Sequence, residues 1–197
     1  MYRVKDIIEP DFGCEGLPEG EESCCEVLLE DGNGKEVCVK VPDAELYRKC
    51  ITAGCEVLLD DNTLERADHA AWRRLYEAAG AVQNGRRVSE YVEASGVAAA
   101  IEADSGKIYT GVCVDTACTL GICAERNAIF QMLTKGESKI VRVLALMPDG
   151  KTAAPCGACR ELMVQLMPED YRNIEIMADY DSMTTVTLGE LTPDWWI

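Results

Sequence analysis

The sequence has few cations and no long apolar run, and each shortage excludes a class of function. Lys and Arg number 19 against 35 Asp and Glu, which gives a formal net charge of −16. Because neutralisation of phosphates by basic side chains supplies most of the affinity for nucleic acids, we expect no nucleic-acid partner. No apolar stretch reaches the ~20 residues that a membrane span needs, and no charged-then-apolar leader begins the chain. We therefore expect a cytoplasmic protein with no membrane contact.

Cysteine, by contrast, is abundant. The chain has 11 cysteines, an odd number that fits a reducing cytosol better than a disulfide framework. The cysteines of the first 60 residues form no pair of C-x-x-C motifs, so we expect free thiols there rather than ligands of a second metal. These residues are Cys14, Cys24, Cys25, Cys38, Cys50 and Cys55.

Three other thiols lie in two short stretches that carry the chemistry of the chain. Cys156 and Cys159 form a C-x-x-C pair, whose sulfurs reach one ion when the second lies on the first turn of a helix. Cys123, in a C-A-E stretch, adds a third thiol. Zinc prefers four tetrahedral ligands, and a catalytic zinc keeps one position open for water. The single histidine, His69, lies far upstream on a different predicted helix, so no fourth ligand of a closed site is evident.

A carboxylate accompanies these thiols. Glu125 lies two residues after Cys123, so on a helix start its side chain points away from the thiol. It can lie beside a metal-bound water without being a ligand. Three cysteine ligands, with a Glu that is not a ligand as general acid and base, are one arrangement found in the zinc deaminases. A structural zinc, or three unrelated buried cysteines, is the alternative interpretation.

The pattern of apolar residues predicts two parts. Residues 1–60 are expected to form a small acidic, cysteine-rich and β-rich module, with strands at 25–29, 37–41 and 55–59 and a short helix at 43–50. Residues 61–197 alternate helices and strands, which is typical of an α/β domain with helices on both faces of a sheet. There we expect helices at 62–80, 123–135 and 157–167, and strands at 97–101, 107–114, 140–147, 174–177 and 184–188.

The sequence also predicts where three of these helices begin and where the first one ends. The first helix is expected to begin at a capping box, Asn62 to Glu65, and to end at Gly80. The helices that follow Cys123 and Cys156 are expected to converge at their N-termini. Since helix dipoles favour thiolates, we expect them to lower the pKa of the cysteine thiols.

The two stretches resemble a known family. Gly121-Ile122-Cys123-Ala124-Glu125-Arg126 and Pro155-Cys156-Gly157-Ala158-Cys159-Arg160 look like the compact three-cysteine cytidine deaminases and blasticidin-S deaminase. The resemblance runs from about residue 95 to residue 196 and implies a three-layer α/β/α sandwich as the catalytic domain, 61–197. Nothing in residues 1–60 belongs to it.

The resemblance implies a ligand set and a mechanism. Zinc is expected to be held by Cys123, Cys156 and Cys159, with Arg126 and Arg160 donating hydrogen bonds to the thiolates. Zinc lowers the pKa of its water toward ~7, and the resulting hydroxide attacks the amino-bearing carbon while Glu125 shuttles the protons. The family also implies a small-molecule substrate and a homo-oligomer, either a dimer or a tetramer.

The substrate-binding residues depart from the family pattern. An Asn-x-Glu that grips the ribose hydroxyls is replaced by Cys113 and Asp115, and a Phe that packs on the substrate falls on Ser95. Ala124 and Trp195 complete the expected substrate contacts. These departures favour a small free aminopyrimidine or cytidine-like substrate. The alternatives are a blasticidin-S-type antibiotic deaminase, a base deaminase acting on RNA or DNA, and a zinc-binding regulatory module without turnover.

Overall fold

The computed structural model describes residues 1–10 and 22–196, and the chain divides into two compact units, Met1–Ala71 and Trp72–Ile197. The module expected over residues 1–60 stays a prediction, because the first unit extends eleven residues further. Cys14, one of the expected free thiols, lies outside the described residues. Within the described ranges, none of the helices combines the length and the apolar character that a bilayer crossing needs.

The N-terminal unit is an antiparallel sheet with one short helix. Its elements are β1 (Tyr2–Ile8), β2 (Cys24–Asp31), β3 (Glu36–Pro42), α1 (Asp43–Arg48), β4 (Glu56–Asp60) and β5 (Thr63–Arg66). The strands pair in the order β3-β2-β1-β4-β5. Alternate residues of β2, namely Cys25, Val27 and Leu29, are buried and supply the core. The predicted hairpin β2–β3, the short helix and β4 are confirmed, whereas the sequence pattern does not predict the central strand β1.

The predicted helix start at Asn62 is wrong. Asp61 and Asn62 form a two-residue turn between β4 and β5, with φ angles of 40° and 66°. Tight hairpins need these left-handed values, and Asn adopts them readily. Asn suits a helix cap as well, so the local pattern fits both structures. The helix, α2, spans Ala67–Val82, and Gly80 therefore lies inside its last turn instead of ending it.

The C-terminal unit contains a mixed sheet. Its strands are β6 (Arg86–Arg87), β7 (Val92–Ala103), β8 (Ile108–Thr116), β9 (Ile140–Leu146), β10 (Glu175–Asp179) and β11 (Thr184–Thr187). Its helices, besides most of α2, are α3 (Ala124–Thr134), α4 (Gly157–Leu166) and α5 (Leu188–Leu191), with a 3₁₀ turn at Tyr171–Asn173. The strands follow the order β11-β10-β9-β7-β6, and β8 pairs with β7. β9 and β10 run parallel and the other pairs antiparallel. The predicted strands and the helices after Cys123 and Cys156 are confirmed.

Helices cover both faces of this sheet, which gives the predicted three-layer α/β/α sandwich. Successive residues of a strand point to opposite faces, so Ala100 contacts the layer of α2 while Ile101 contacts the layer of α3 and α4. On the first face, Trp72 and Leu75 of α2 are buried. The core of the C-terminal unit therefore consists of two apolar layers separated by the sheet.

A glycine brings α3 directly onto β8. A Cβ at Gly111 would lie 2.4 Å from the backbone nitrogen of Ala128 and 2.5 Å from the carbonyl oxygen of Ala124. Beside it, Asn127 Nδ2 donates a hydrogen bond to the carbonyl of Val112 at 3.0 Å. Any side chain at position 111 would push the helix away. This contact fixes the start of α3 relative to the sheet.

Candidate metal and catalytic site

Three thiols meet where two helices begin. Cys123 and Cys156 are the N-cap residues of α3 and α4, and Cys159 lies in the first turn of α4. The Sγ atom of Cys156 lies 3.4 Å from that of Cys123 and 3.5 Å from that of Cys159. All three Sγ atoms are within 4.8 Å of one another, the one such group of potential metal ligands among the described residues.

This geometry fits zinc. Tetrahedral sites with Zn–S bonds of about 2.3 Å separate neighbouring sulfurs by about 3.8 Å. The two short sulfur–sulfur distances, 3.4 and 3.5 Å, are close to that value. Three thiolates are a donor set that zinc prefers, and they leave the fourth position to another ligand. His69 belongs to the N-terminal unit and is not part of the group.

The thiols differ in their protonation equilibria. Burial raises the pKa of Cys123, although the guanidinium of Arg126 opposes the shift. Burial, followed by the negative charge of Glu125, raises the pKa of Cys159 strongly. Burial is the largest single influence on Cys156, but hydrogen bonds from the backbone N–H groups at the start of α4 and from the thiols of Cys123 and Cys159 together outweigh it and lower that pKa. The expected lowering by helix termini thus holds for Cys156 alone, since burial dominates at the other two thiols.

The two arginines next to the thiols make different contacts. Arg126 Nη2 donates to Cys123 Sγ at 3.7 Å, which is a long contact to sulfur. An arginine that donates to a cysteine sulfur is what the sequence predicts at this position. Arg160 differs from the prediction: its Nε donates to the carbonyl of Pro155 at 2.8 Å and its Nη1 to the carbonyl of Leu191 at 3.0 Å. The position after Cys159 on a helix is rotated away from the thiols, so Arg160 ties the segment before α4 to the end of α5.

A cavity of about 530 Å³ opens beside the thiols. Cys123, Cys156 and Glu125 lie on its wall, and Glu125 is only 5% exposed. A carboxylate that is buried in a cavity wall beside potential metal ligands is suited to exchange protons with a bound molecule. The volume falls in the range of about 300–1,000 Å³ that is usual for small-molecule sites.

The structure brings together some of the expected substrate-binding residues and not others. Cys113, Asp115 and Ala124 line this cavity. Ser95 does not; it lines a separate cavity, where its Oγ accepts a hydrogen bond from Arg86 Nη1 at 2.9 Å. Trp195 is half-buried and packs against the apolar layer between the sheet and α3 and α4.

A bulge in β7 explains the placement of Ser95. The pairing of β7 with β8 shifts between Ala94 and Ala98, and Ser95 adopts a φ of 65° within that bulge. The backbone nitrogen of Val97 has no strand partner there and donates instead to Cys113 Sγ at 3.1 Å. Val97, which the sequence pattern does not indicate as a site residue, also lines the cavity. Its neighbour Gly96 is the available signal, because a glycine inside a strand pattern indicates a bulge.

A second glycine positions the first thiol. A Cβ at Gly121 would lie 2.4 Å from the carbonyl oxygen of Val114. The next residue, Ile122, exchanges backbone hydrogen bonds with Val114, both at 2.9 Å. The segment therefore lies against the end of β8 and delivers Cys123 to the cavity. The residues just before it, including Cys118, also line the cavity and were not predicted to do so.

The sequence matches a family model described as the cytidine and deoxycytidylate deaminase zinc-binding region, over residues 73–172. That match covers just over half of the 197 residues. The chain belongs to this family. It is a zinc-dependent aminohydrolase, and its three-thiol group fits the Zn²⁺ that the family binds. The match includes all three thiols and Glu125 but leaves residues 1–72 outside.

Individual relatives agree with the family match. A cytidine deaminase from Halalkalibacterium halodurans is 30% identical over 99 residues, which cover 49% of this chain and 74% of that protein. The crystal structure of cytidine deaminase from Mycobacterium leprae superposes with a TM-score of 0.51 at 28% identity, covering 62% of this chain and 98% of that one. The enzyme from Mycobacterium tuberculosis gives a TM-score of 0.52 at 25% identity, covering 64% and 97%. These structures match the predicted fold.

Proposed function

We propose that this chain deaminates a small free aminopyrimidine or cytidine-like compound by hydrolysis, with Cys123, Cys156 and Cys159 as zinc ligands. The observation that carries the proposal is the placement of a buried carboxylate, Glu125, on the wall of the cavity that Cys123 and Cys156 also line. When bound, zinc supplies Lewis acidity that makes water a nucleophile near neutral pH.

Glu125 is the group that moves protons in this proposal. Its carboxylate accepts a proton from the attacking water and delivers it to the ring nitrogen next to the amino-bearing carbon. It then delivers the second water proton to the departing amine, so that the C–N bond breaks, a C=O bond remains and ammonia leaves. Burial at 5% exposure keeps bulk water from competing for these transfers. Arg126, in contact with Cys123, donates to the thiol and would withdraw charge from the ligand set.

The substrate preference follows from Cys113 and Asp115. The sulfur of Cys113 already accepts the backbone N–H of Val97 at 3.1 Å, so it offers little to a ribose hydroxyl. Asp115 is exposed at the cavity rim, with a shorter reach than the Glu of the family pattern. A site that lacks fixed partners for hydroxyls does not select for them. We therefore expect cytidine to be a poor substrate compared with a compound that lacks or alters the ribose.

The test is ammonia release from cytidine, deoxycytidine, cytosine and blasticidin S under identical conditions. We expect a kcat/KM for cytidine below ~10⁵ M⁻¹s⁻¹ and a higher value for at least one of the others. The variant Cys113→Asn, whose amide can accept from Val97 and still donate to a hydroxyl, should raise the cytidine value about tenfold. Cytidine turnover above that limit by the unaltered enzyme would show that Cys113 and Asp115 grip ribose after all.

The role of Glu125 has its own test. Glu125→Gln keeps the size of the side chain but cannot accept the proton, and we expect kcat to fall by about 10²–10⁴-fold or more with zinc retained. Near-normal turnover by this variant would exclude Glu125 as the proton carrier. Absence of turnover by the unaltered protein on the whole panel, with zinc bound, would favour a regulatory module.

The assembly and the location are parts of the same proposal. Phe130 and Leu133 on the outer face of α3 are 46% and 38% exposed, which supports a homo-oligomer, a dimer or tetramer, covering that face. Sedimentation equilibrium of the zinc-loaded protein measures this directly. Free thiols at the described cysteines outside the zinc group support a cytoplasmic location.

A further inference from the structure

A second cavity lies on another side of α3 and is not used by the proposed reaction. It has a volume of about 230 Å³ and lies between the end of α2, the middle of β8 and α3. Its polar side chains come from four different segments of the catalytic unit. They are Arg86, Ser95, Thr110, Asn127 and Gln131.

Hydrogen-bond donors outnumber acceptors in this cavity. Arg86 uses Nη1 to bond Ser95 Oγ and the carbonyl of Asn84, at 2.9 and 3.3 Å, while its other nitrogens have no partner among the described residues. The hydroxyl of Ser95 accepts from Arg86, and its own proton has no described acceptor. Thr110 and Gln131 likewise make no side-chain hydrogen bond within the described part of the chain. Several donors that line the cavity thus have no acceptor within the described part of the chain.

The charge of the cavity runs against that of the protein. The whole chain has a formal net charge of −16, yet none of the described residues that line this cavity is Asp or Glu. Arg86 forms no ion pair with any described carboxylate, and a guanidinium is charged at all ordinary pH values. A fixed positive charge with unpaired donors around it is complementary to an anion.

Burial and backbone strain distinguish this site from a chance group of polar residues. Ser95 is 1% exposed, and a buried hydroxyl with an unused proton is costly unless a partner satisfies it. Its φ of 65° is unfavourable for a residue other than glycine, and such strain concentrates at ligand sites. The strained residue is the one whose Oγ fixes the guanidinium of Arg86.

We infer that this cavity binds a small tetrahedral oxyanion, with Arg86 as its charge partner and Ser95 as a buried donor. The volume of about 230 Å³ lies below the range of about 300–1,000 Å³ that is typical of drug-sized ligands, which favours a ligand smaller than a nucleoside. A phosphate group, either inorganic or esterified, has the charge and the acceptor oxygens that the donors need. Asn127 and Gln131 belong to α3, the helix that also carries Glu125, so the anion would contact an element of the active site.

The experiment is a titration of the zinc-loaded full chain with inorganic phosphate by isothermal calorimetry, with sodium chloride at matched ionic strength as the reference. Glycerol 3-phosphate in a parallel titration distinguishes a free anion from an esterified one. The decisive pair of variants is Arg86→Gln and Arg87→Gln. Arg87 is the neighbouring guanidinium on β6, but it donates to the carbonyls of Ser89 and Glu90 and does not line this cavity.

We expect saturable phosphate binding that Arg86→Gln weakens about tenfold or more and Arg87→Gln leaves within twofold. Gln131→Ala, an exposed position on α3, is a second variant that should weaken binding if Arg86→Gln does not fold. Tighter binding of glycerol 3-phosphate would support the site and assign it to an esterified phosphate. No binding above the chloride reference, or equal losses in the two arginine variants, would overturn the inference.

Discussion

The two units hold their cysteines in different ways. In the catalytic unit, Cys123 and Cys156 precede two helices and Cys159 follows within one turn, and their sulfurs lie within 4.8 Å of one another. In the N-terminal unit, Cys24 and Cys25 lie side by side on a strand. No group of three potential metal ligands forms there within the described ranges, 1–10 and 22–71.

The difference lies in the geometry of the elements. Neighbouring strand residues point to opposite faces, so Cys25 is buried in the core while Cys24 is half-buried on the other face. Residues at helix starts are instead brought together when the helices converge on one end of a sheet. A count of cysteines therefore says little about metal binding, whereas their placement on helix N-termini says much.

The largest expected effect tests this comparison directly. The double variant Cys156→Ala, Cys159→Ala removes two of the three thiols, and a single remaining thiolate cannot hold zinc tightly. We expect the metal content to fall from about one zinc per chain to near zero, measured by inductively coupled plasma mass spectrometry.

The matched control is Cys50→Ala, Cys55→Ala in the N-terminal unit. Cys50 and Cys55 are close in the chain, as Cys156 and Cys159 are. Cys55 Sγ contacts the carbonyl of Cys50 at 4.0 Å, but neither residue belongs to a group of potential metal ligands. We expect this variant to keep its zinc. Zinc lost from the control and kept by the first variant would place the metal in the N-terminal unit and reverse the comparison.

A second prediction concerns close packing in the two units. Gly111→Ala forces a Cβ to within 2.4 Å of the α3 backbone, which cannot move without displacing the start of the helix. Overpacking of this kind costs about 3 kcal/mol, so we expect a clear loss of the free energy of unfolding in urea titration. Gly32→Ala in the β2–β3 turn meets no atom within 4 Å and should be near neutral.

An equal loss in both glycine variants would mean that the contact of β8 with α3 is not what makes Gly111 costly to replace, because the reduced entropy of the unfolded chain would by itself stabilise both variants. The measurement should follow zinc content as well. Because Ala124 and Ala128 are the residues that the new Cβ would meet, displacement of α3 is expected to weaken zinc binding in Gly111→Ala and not in Gly32→Ala.

The sequence predicts the parts of the site that depend on spacing. The thiols and Glu125 follow from helix starts, whose periodicity and caps are local properties. The side-chain directions of Ser95 and Arg160 cannot be predicted from such local properties. The direction of Ser95 depends on a bulge in β7, and that of Arg160 depends on the position of α5. The predicted helix start at Asn62 is wrong for another reason. Asn suits both a helix cap and a hairpin turn, and the pairing of β4 with β5 decides between these two structures.

The smallest expected effect compares two surface carboxylates. Glu137 accepts hydrogen bonds from Lys107 Nζ at 2.8 Å, Ser105 Oγ at 2.5 Å and Tyr109 Oη at 2.9 Å. The hydrogen bond from Lys107, followed by that from Ser105, lowers the pKa of Glu137 to about 2. Glu36 in the N-terminal unit accepts its hydrogen bond from one side chain, Lys5.

The sign of the pH dependence follows from the lowered pKa of Glu137. The carboxylate is stabilised in the folded state, so its contribution is complete above its ordinary pKa of 4.5 and is lost as the pH falls toward about 2. Because the side chain is half-buried at the surface, where water still weakens ion pairs, Glu137→Gln should lower Tm by about 1–2 °C at pH 7, measured by differential scanning calorimetry. The difference from the unaltered protein should shrink below pH 4.5, and Glu36→Gln should show a smaller difference throughout. A Tm difference between Glu137→Gln and the unaltered protein that stays constant down to pH 3 would contradict this prediction. It would mean that the negative charge of Glu137 is not the source of the stabilisation.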